Sequence, residues 1–257
     1  MSNGWDRSSP GDGLTKSRAG GGIQIVVRPE SFAATAAAFI ARKLASWTQE
    51  APMRVGLSGG GTPEPVYQLL ALSPLPDWDR IEVYLADERA VPPDHEESNL
   101  RLIRSALSDI AGLPRDRVHG IISESDVSPD GSSIDNDALE AAARRYEVAL
   151  PDRFDLLLLG LGVDGHTASL FPGEPSLREI DRRVVVARAP TEPTRRVTIT
   201  PPMISNARLC IVLVQGATKA RAVEAALSGG SVDEVPGRLA GRATWIIGAD
   251  ALGSGAT

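Results

Sequence analysis

The alternation of short apolar runs with longer helical patterns is the feature that most limits the fold of this chain. The apolar runs are rich in Val, Ile and Leu, which is typical of strands that are buried on both faces. Segments with helical periodicity separate most of them. This order predicts an α/β fold, a Rossmann-like α/β/α sandwich in which helices cover both faces of a mostly parallel central sheet.

The predicted elements begin at Ile23. The strands are IQIVV (23–27), RVGL (54–57), IEVYL (81–85), a short strand near Val118, FDLLLLG (154–160), VVVA (184–187), RVTIT (196–200), CIVLV (210–214) and TWIIG (244–248). The helices run from about Ser31 to Trp47, from Pro63, from near Ser98, from about Asp137 to Leu150 and over Ala217–Leu227. FDLLLLG is the most apolar strand, so we expect it at the centre of the sheet. Residues 1–22 lack periodicity and are predicted to be a disordered leader before a single domain over 23–257.

Composition excludes several classes of function. A formal charge of -6 argues against sequence-independent nucleic-acid binding. No apolar run reaches the roughly 20 residues of a membrane helix, and no signal peptide is visible, so a cytoplasmic protein is expected. The single cysteine, Cys210, excludes internal disulfides and multi-cysteine zinc sites. We also predict no metal and no cofactor, and we leave the oligomeric state open between monomer and homodimer.

A glycine-rich loop, Ser58-Gly59-Gly60-Gly61-Thr62, joins a predicted strand to a predicted helix. Glycines allow backbone N–H groups to approach an anion closely, Thr62 could cap the helix, and a helix N-terminus favours a phosphate. The Gly-Lys-Ser/Thr of a nucleotide-binding P-loop is missing. The loop therefore predicts a phosphate site, with a purely structural glycine turn as the alternative.

Charged residues follow the strand IEVYL as Asp87, Glu88 and Arg89. Ligands of open α/β sheets bind at the carboxyl ends of strands, so Arg89 is a candidate partner of a phosphate or of a developing oxyanion. The alternative is a solvated loop held by ion pairs. His95, which lies among acidic residues, is interpreted as a loop histidine.

The segment FDLLLLGLGVDGHTASLFPGEP (154–175) is the most informative stretch. Its G-x-G-x-x-G spacing resembles a dinucleotide fingerprint, but Pro172 and Gly173 follow too soon for the long helix that such a site requires. What it offers is His166 on a glycine-flanked turn, with Asp164 placed to orient the imidazole. The alternative is a buried histidine that only holds the turn. His119 is interpreted as structural.

Two basic positions near later strand ends complete the candidate residues, Arg196 and Lys219. Lys219 is predicted in the first turn of its helix, where a cation opposes the helix dipole, so a nearby anionic ligand would explain its position. A solvated surface lysine is the alternative.

These segments together resemble the signature blocks of the 6-phosphogluconolactonase family. The blocks are LSGGGTP, LADERAVPPDHEESNL, LGLGVDGHTASLFPG, RRVTIT and QGATKA, in the family's order, and the resemblance covers about Ile23 to Ile247. It implies the sandwich shared with glucosamine-6-phosphate deaminase and ribose-5-phosphate isomerase. Two departures, Gly61 in place of a common serine and Val163 in place of a common proline, remove no candidate catalytic group.

The resemblance implies hydrolysis of 6-phospho-D-glucono-1,5-lactone to 6-phospho-D-gluconate. In that interpretation His166, oriented by Asp164, is the general base and then the general acid, and Arg89 grips either the oxyanion or the phosphate. The phosphate would lie on Gly59–Thr62 with Arg196 and Lys219, and Asp87 would contact a substrate hydroxyl.

Two other functions stay open. A glucosamine-6-phosphate deaminase would share the glycine loop and the Asp-Gly-His turn, but its continuation after the histidine, of the Ile-Ala-Phe-Asn-Glu type, differs from Thr167–Gly173 here. A sugar-phosphate sensor without catalysis would use the same fold.

Overall fold

A computed structural model describes residues 13–17, 22–131 and 133–253, with the backbone alone for 13–17. Its strands are β1 Gly13–Ser17, β2 Ile23–Val27, β3 Met53–Leu57, β4 Ile81–Leu85, β5 Asp87–Arg89, β6 Val118–His119, β7 Leu156–Gly160, β8 Val184–Arg188, β9 Arg195–Ile199, β10 Cys210–Val214 and β11 Thr244–Gly248. They form an eight-stranded sheet in the order β1-β2-β11-β10-β7-β3-β4-β6 and a three-stranded sheet in the order β5-β9-β8.

Helices connect the strands of the large sheet. They are α1 Phe32–Ala45, α2 Pro63–Ala71, α3 Asn99–Ile103, α4 Asp109–Ala111, α5 Asn136–Ala149, α6 Pro201–Ser205 and α7 Ala220–Leu227, with one π-helical segment, Arg104–Ser108, between α3 and α4. None of the described helices has the length and hydropathy needed to cross a membrane. The helices predicted from the periodicity are all present, with ends shifted by a few residues.

Seven neighbouring strands of the large sheet are parallel. Their order in the sheet is β2-β11-β10-β7-β3-β4-β6. β7 is the middle one, with β10 on one side and β3 on the other. Its four leucines, Leu156 to Leu159, are almost fully buried. The mostly parallel α/β sheet and the central place of FDLLLLG are therefore confirmed.

The second sheet was not predicted as a separate unit. The chain leaves the large sheet at Ala86, whose N–H donates to Leu57 O and whose carbonyl accepts from Ile199 N. β5 then pairs antiparallel with β9, and β9 with β8. The runs VVVA and RVTIT are strands as predicted, but periodicity carries no information on which sheet a strand joins.

Most buried apolar side chains of the described residues form one continuous hydrophobic cluster that both sheets share. Such a cluster is what a single domain over 23–257 requires, and the domain assignment itself stays a prediction. The predicted disordered leader lies largely outside the described residues. Within it, Gly13–Ser17 pairs antiparallel with β2, so the expectation of no regular structure is wrong for these five residues.

Candidate active site

A cavity of about 370 Å³ opens at the carboxyl ends of the central parallel strands. The glycine loop follows β3, Asp87 follows β4, the histidine turn follows β7 and Lys219 follows β10. The residues that line the cavity are Ser58, Gly59, Gly60, Gly61, Thr62, Pro63, Asp87, Arg89, Asn99, Gly160, Leu161, Gly162, His166, Ala168 and Lys219. Its position at the edge where ligands bind in open α/β sheets, and its volume, fit a small-molecule site.

The three glycines of the loop have different surroundings. A Cβ on Gly59 would overlap the side-chain oxygen of Asn99. Gly60 has a φ of +103°, which disfavours any side chain, and the space beside Gly61 is open. None of their N–H groups has an acceptor in the described part of the chain, so the loop presents free donors at the N-terminus of α2.

Thr62 and Lys219 meet at one end of the cavity. The Thr62 hydroxyl makes no capping hydrogen bond to α2, contrary to prediction, and instead accepts one from Lys219 Nζ at 3.2 Å. Lys219 belongs to the turn Ala217–Lys219 that precedes α7 rather than to the helix itself. It is partly buried, has no carboxylate partner within the described ranges, and burial lowers the pKa of its ammonium group. A partly desolvated cation beside free N–H groups is suited to bind an anion.

The histidine turn presents a paired imidazole and carboxylate. His166 Nδ1 lies 2.5 Å from Asp164 Oδ1, and each side chain is about one third exposed. Gly162 lies against this pair, because a Cβ there would overlap His166 Nδ1. The ring of Phe171 contacts the imidazole with a centroid separation of 4.5 Å. The imidazole is thus held at Nδ1 and on one face, and Nε2 has no partner among residues 22–131 and 133–253.

The electrostatics of Asp164 follow from this pairing. Partial burial opposes ionisation of the carboxyl group, but the hydrogen bonds and positive charge of His166 outweigh burial and lower the pKa of Asp164. An ionised Asp164 fixes the proton on Nδ1 and leaves Nε2 as the basic nitrogen.

Asp87 and Arg89 line the same cavity. Asp87 is 7% exposed and its Oδ2 accepts a hydrogen bond from Ser169 Oγ at 2.7 Å. Arg89 Nη1 donates to Glu97 O at 2.7 Å and to Asn99 Oδ1 at 2.9 Å. Arg89 has no carboxylate partner in the described segments, so the alternative, a solvated loop held by ion pairs of Arg89, is not what the structure contains.

Glu88, between them, points away from the cavity and is 1% exposed. Its carboxylate accepts four hydrogen bonds, from Arg89 N, Ser98 Oγ, Asn99 N and Leu100 N. Burial raises the pKa of Glu88 to about 7, although these four donors favour the ionised form. Glu88 therefore ties β5 to the start of α3.

Two predicted site residues do not line the cavity, Asp164, which is bonded to the lining residue His166, and Arg196. Arg196 pairs with Arg89 across β5 and β9 and is 7% exposed. Its Nε and Nη1 atoms are buried and have no hydrogen-bond partner in the described residues. Burial lowers the pKa of Arg196, and the charge of Arg89 lowers it further.

The other histidines lie outside the cavity. His119 interacts with Glu82 and stacks on Tyr84 at 4.4 Å, and His95 Nδ1 accepts from Glu97 N. Among the described residues, no group of three or more His, Cys, Asp or Glu side chains could hold a metal ion.

Sequence reasoning missed two polar residues of the site. Asn99 lines the cavity and bonds to Arg89, and Ser169 holds Asp87. Both lie inside segments that the sequence marked as informative, but their role depends on contacts with residues distant in the chain.

Comparison with known proteins adds an independent observation. The sequence profile of the family described as glucosamine-6-phosphate isomerases/6-phosphogluconolactonase matches residues 28–246. The chain belongs to this family. A 6-phosphogluconolactonase from a Synechocystis species is 41% identical over 170 residues, 66% of this chain and 69% of the relative, and one from a Nostoc species is 36% identical over 218 residues, 79% and 85%.

Solved structures of the family have the same fold. The crystal structure of 6-phosphogluconolactonase from Leishmania guyanensis superimposes with a TM-score of 0.77 at 26% identity, covering 91% of this chain and 98% of that one. The family resemblance inferred from the motifs is thereby confirmed.

Proposed function

We propose that this family member is a 6-phosphogluconolactonase, which hydrolyses 6-phospho-D-glucono-1,5-lactone to 6-phospho-D-gluconate in the oxidative pentose phosphate pathway. The observation that carries the proposal is that one cavity is lined both by His166, which Asp164 holds at Nδ1, and by an anion-binding end made by Lys219 and the glycine loop. The names of the relatives support the same activity. The cytoplasmic location predicted from the sequence is part of this proposal.

His166 acts in two proton transfers. Because Asp164 holds Nδ1, Nε2 takes a proton from the water that attacks C1 of the lactone. The tetrahedral intermediate then collapses, the bond between C1 and the ring oxygen breaks, and Nε2 returns the proton to that oxygen as a hydroxyl group. The carboxylic acid formed at C1 ionises in water. Asp164 stabilises the imidazolium that exists between the two transfers.

The phosphate of the substrate is bound at the end of the cavity that Lys219 and the glycine loop form. Lys219 and the free N–H groups of Gly59–Thr62 hold it, and the buried charge of Arg196 adds to the positive potential from behind β5. This remote contact places C1 against His166. Asp87, held by Ser169, accepts a hydrogen bond from a substrate hydroxyl. Arg89 supplies the donor for the developing oxyanion.

The test is His166→Ala with lactone produced in situ and the spontaneous hydrolysis subtracted. Loss of a general base predicts a fall in kcat of roughly 10²- to 10⁴-fold. His119→Ala is the matched control, because His119 does not line the cavity and should leave turnover unchanged. Near wild-type turnover by His166→Ala would exclude His166 as the base.

Separate assays distinguish the two alternative functions from the lactonase. A deaminase would release ammonia from glucosamine 6-phosphate, and a sensor would bind 6-phosphogluconate without accelerating lactone hydrolysis. The sequence Thr167–Gly173 after the histidine favours the lactonase over the deaminase.

A further inference from the structure

One nitrogen of the Arg89 guanidinium donates hydrogen bonds to two acceptors, and these fix the direction of the side chain. Nη1 donates to Glu97 O and to Asn99 Oδ1. Nε and Nη2 have no acceptor in the parts of the chain that the structure describes. The two anchors therefore turn the rest of the guanidinium toward the cavity that Arg89 lines.

Only one of these anchors is a side chain, and its orientation is fully determined. Asn99 Nδ2 donates to Asp87 O at 2.8 Å while Oδ1 accepts from Arg89. The opposite amide orientation would place an NH₂ group against the guanidinium and an oxygen against a carbonyl oxygen, so both contacts select the same rotamer. Asn99 is 1% exposed.

The backbone that carries Asn99 is anchored as well. Glu88 Oε1 accepts from Asn99 N at 2.8 Å and from Arg89 N at 2.9 Å, so one buried carboxylate holds both residues. On its other side the Asn99 amide contacts Gly59, where any Cβ would overlap it. Asn99 thus joins the glycine loop, β5 and α3 at the wall of the cavity.

We propose that Asn99 is a positioning residue that sets the direction of the Arg89 guanidinium at the reacting end of the cavity. The proposal rests on the proposed function. A donor that is already oriented stabilises developing charge without reorganising during the reaction, which is the condition under which such donors contribute most to catalysis. Without Asn99, the Arg89 guanidinium would keep only its hydrogen bond to Glu97 O. Rotation about the flexible side-chain bonds of Arg89 would then change its direction.

A double-mutant cycle with Asn99→Ala and Arg89→Met tests this proposal. Arg89→Met is expected to lower kcat about 10²-fold, as loss of one oxyanion donor does. Asn99→Ala is expected to lower kcat about 10-fold with a similar KM, and to cause no further loss in the Arg89→Met background. Asn206→Ala is the matched control, because Asn206 is exposed, its side chain donates only to Asp152 O among the described residues, and it lies outside the cavity.

The cycle separates positioning from general damage to the fold. The proposal would be overturned if the kcat losses of the two single variants multiplied in full in the double variant. It would also be overturned if the kcat of Asn99→Ala were within 2-fold of wild type. If Asn99→Ala does not fold, Asn99→Ser enters the same cycle with the same expectations. Gly59→Ala, which displaces the same amide from the loop side, is expected to reproduce the kcat loss.

The two proposals fail separately. If the wild-type protein hydrolyses the lactone and Asn99→Ala is unchanged, only the role of Asn99 is wrong. If the wild-type protein has no lactonase activity, the proposed function is wrong. Asn99 is then tested by crystal structures of wild type and Asn99→Ala, where an unchanged direction of the Arg89 guanidinium would overturn positioning.

Discussion

Gly162→Ala is the substitution whose consequence follows most directly from the geometry of the site. A Cβ built on Gly162 overlaps His166 Nδ1 and lies 2.7 Å from Asp164 Oδ1, whereas ordinary Cβ contacts lie at 3.4–4 Å. The imidazole must therefore move by about 1 Å or more, since the backbone is held by the hydrogen bond from Gly162 N to His166 O. The new methyl group separates the base from the carboxylate that orients it.

The expected loss can be given a magnitude. A displacement of about 1 Å in a catalytic group costs up to about 10²-fold in rate. That corresponds to about 2.7 kcal/mol of transition-state stabilisation. Overpacking at the turn adds a stability cost of about 1–3 kcal/mol, which a folded variant can tolerate. We therefore expect a kcat near 1% of wild type, with KM little changed because Gly162 lies at the histidine end of the cavity.

The assay measures kcat and KM for the lactone together with the urea midpoint of each variant. Gly229→Ala is the control, because Gly229 is exposed and has open space where a Cβ would be placed. In the His166→Asn background Gly162→Ala should cause no further loss, since the group it displaces is already absent. A Gly162→Ala enzyme that retains more than about a third of wild-type kcat, or an undiminished effect in the double variant, would refute the reasoning.

Two further predictions concern the anion end and the buried carboxyl group. Lys219→Met should raise KM by about 10- to 100-fold with kcat changed little, because a charge-assisted hydrogen bond contributes about 1.5–3 kcal/mol. Lys219→Arg should recover part of the affinity. An unchanged KM in Lys219→Met would show that Lys219 does not bind the phosphate. Because the pKa of Glu88 is raised to about 7, the folded state binds a proton that the unfolded state releases between about pH 4.5 and 7. The stability contributed by this group, about 3 kcal/mol, is therefore present below pH 4.5 and lost as the pH rises through 7. Glu88→Gln should remove this slope from urea midpoints measured over that range, and identical slopes in the two proteins would contradict it.

Local sequence patterns predicted most of the elements because local interactions determine them. The five-residue apolar runs and the helical periodicity each depend on neighbours within a few positions, and the corresponding strands and helices are present. The place of FDLLLLG at the sheet centre could also be predicted, because only a strand covered on both faces tolerates four successive leucines.

The errors occur where a residue's partner is distant in the chain. Thr62 was predicted to cap α2, but its hydroxyl accepts from Lys219, 157 positions away. Residues 13–17 lack any apolar periodicity, yet their backbone pairs with β2, which requires no particular side chains. Arg196 was grouped with the phosphate ligands, and pairing with β5 instead places it behind Arg89, away from the cavity lining.

The sequence alone determined the α/β fold, the family, and the residue types of the chemistry, because periodicity and short motifs are local properties of the chain. The tertiary structure decided which of those residues face one cavity. Ser169 meets Asp87 across 82 positions, and Asn99 contacts Gly59 and accepts a hydrogen bond from Arg89, through contacts that exist only when β3, β4 and β7 end at the same edge. Pairing between distant segments is set by the packing of the whole core, and no single segment encodes it.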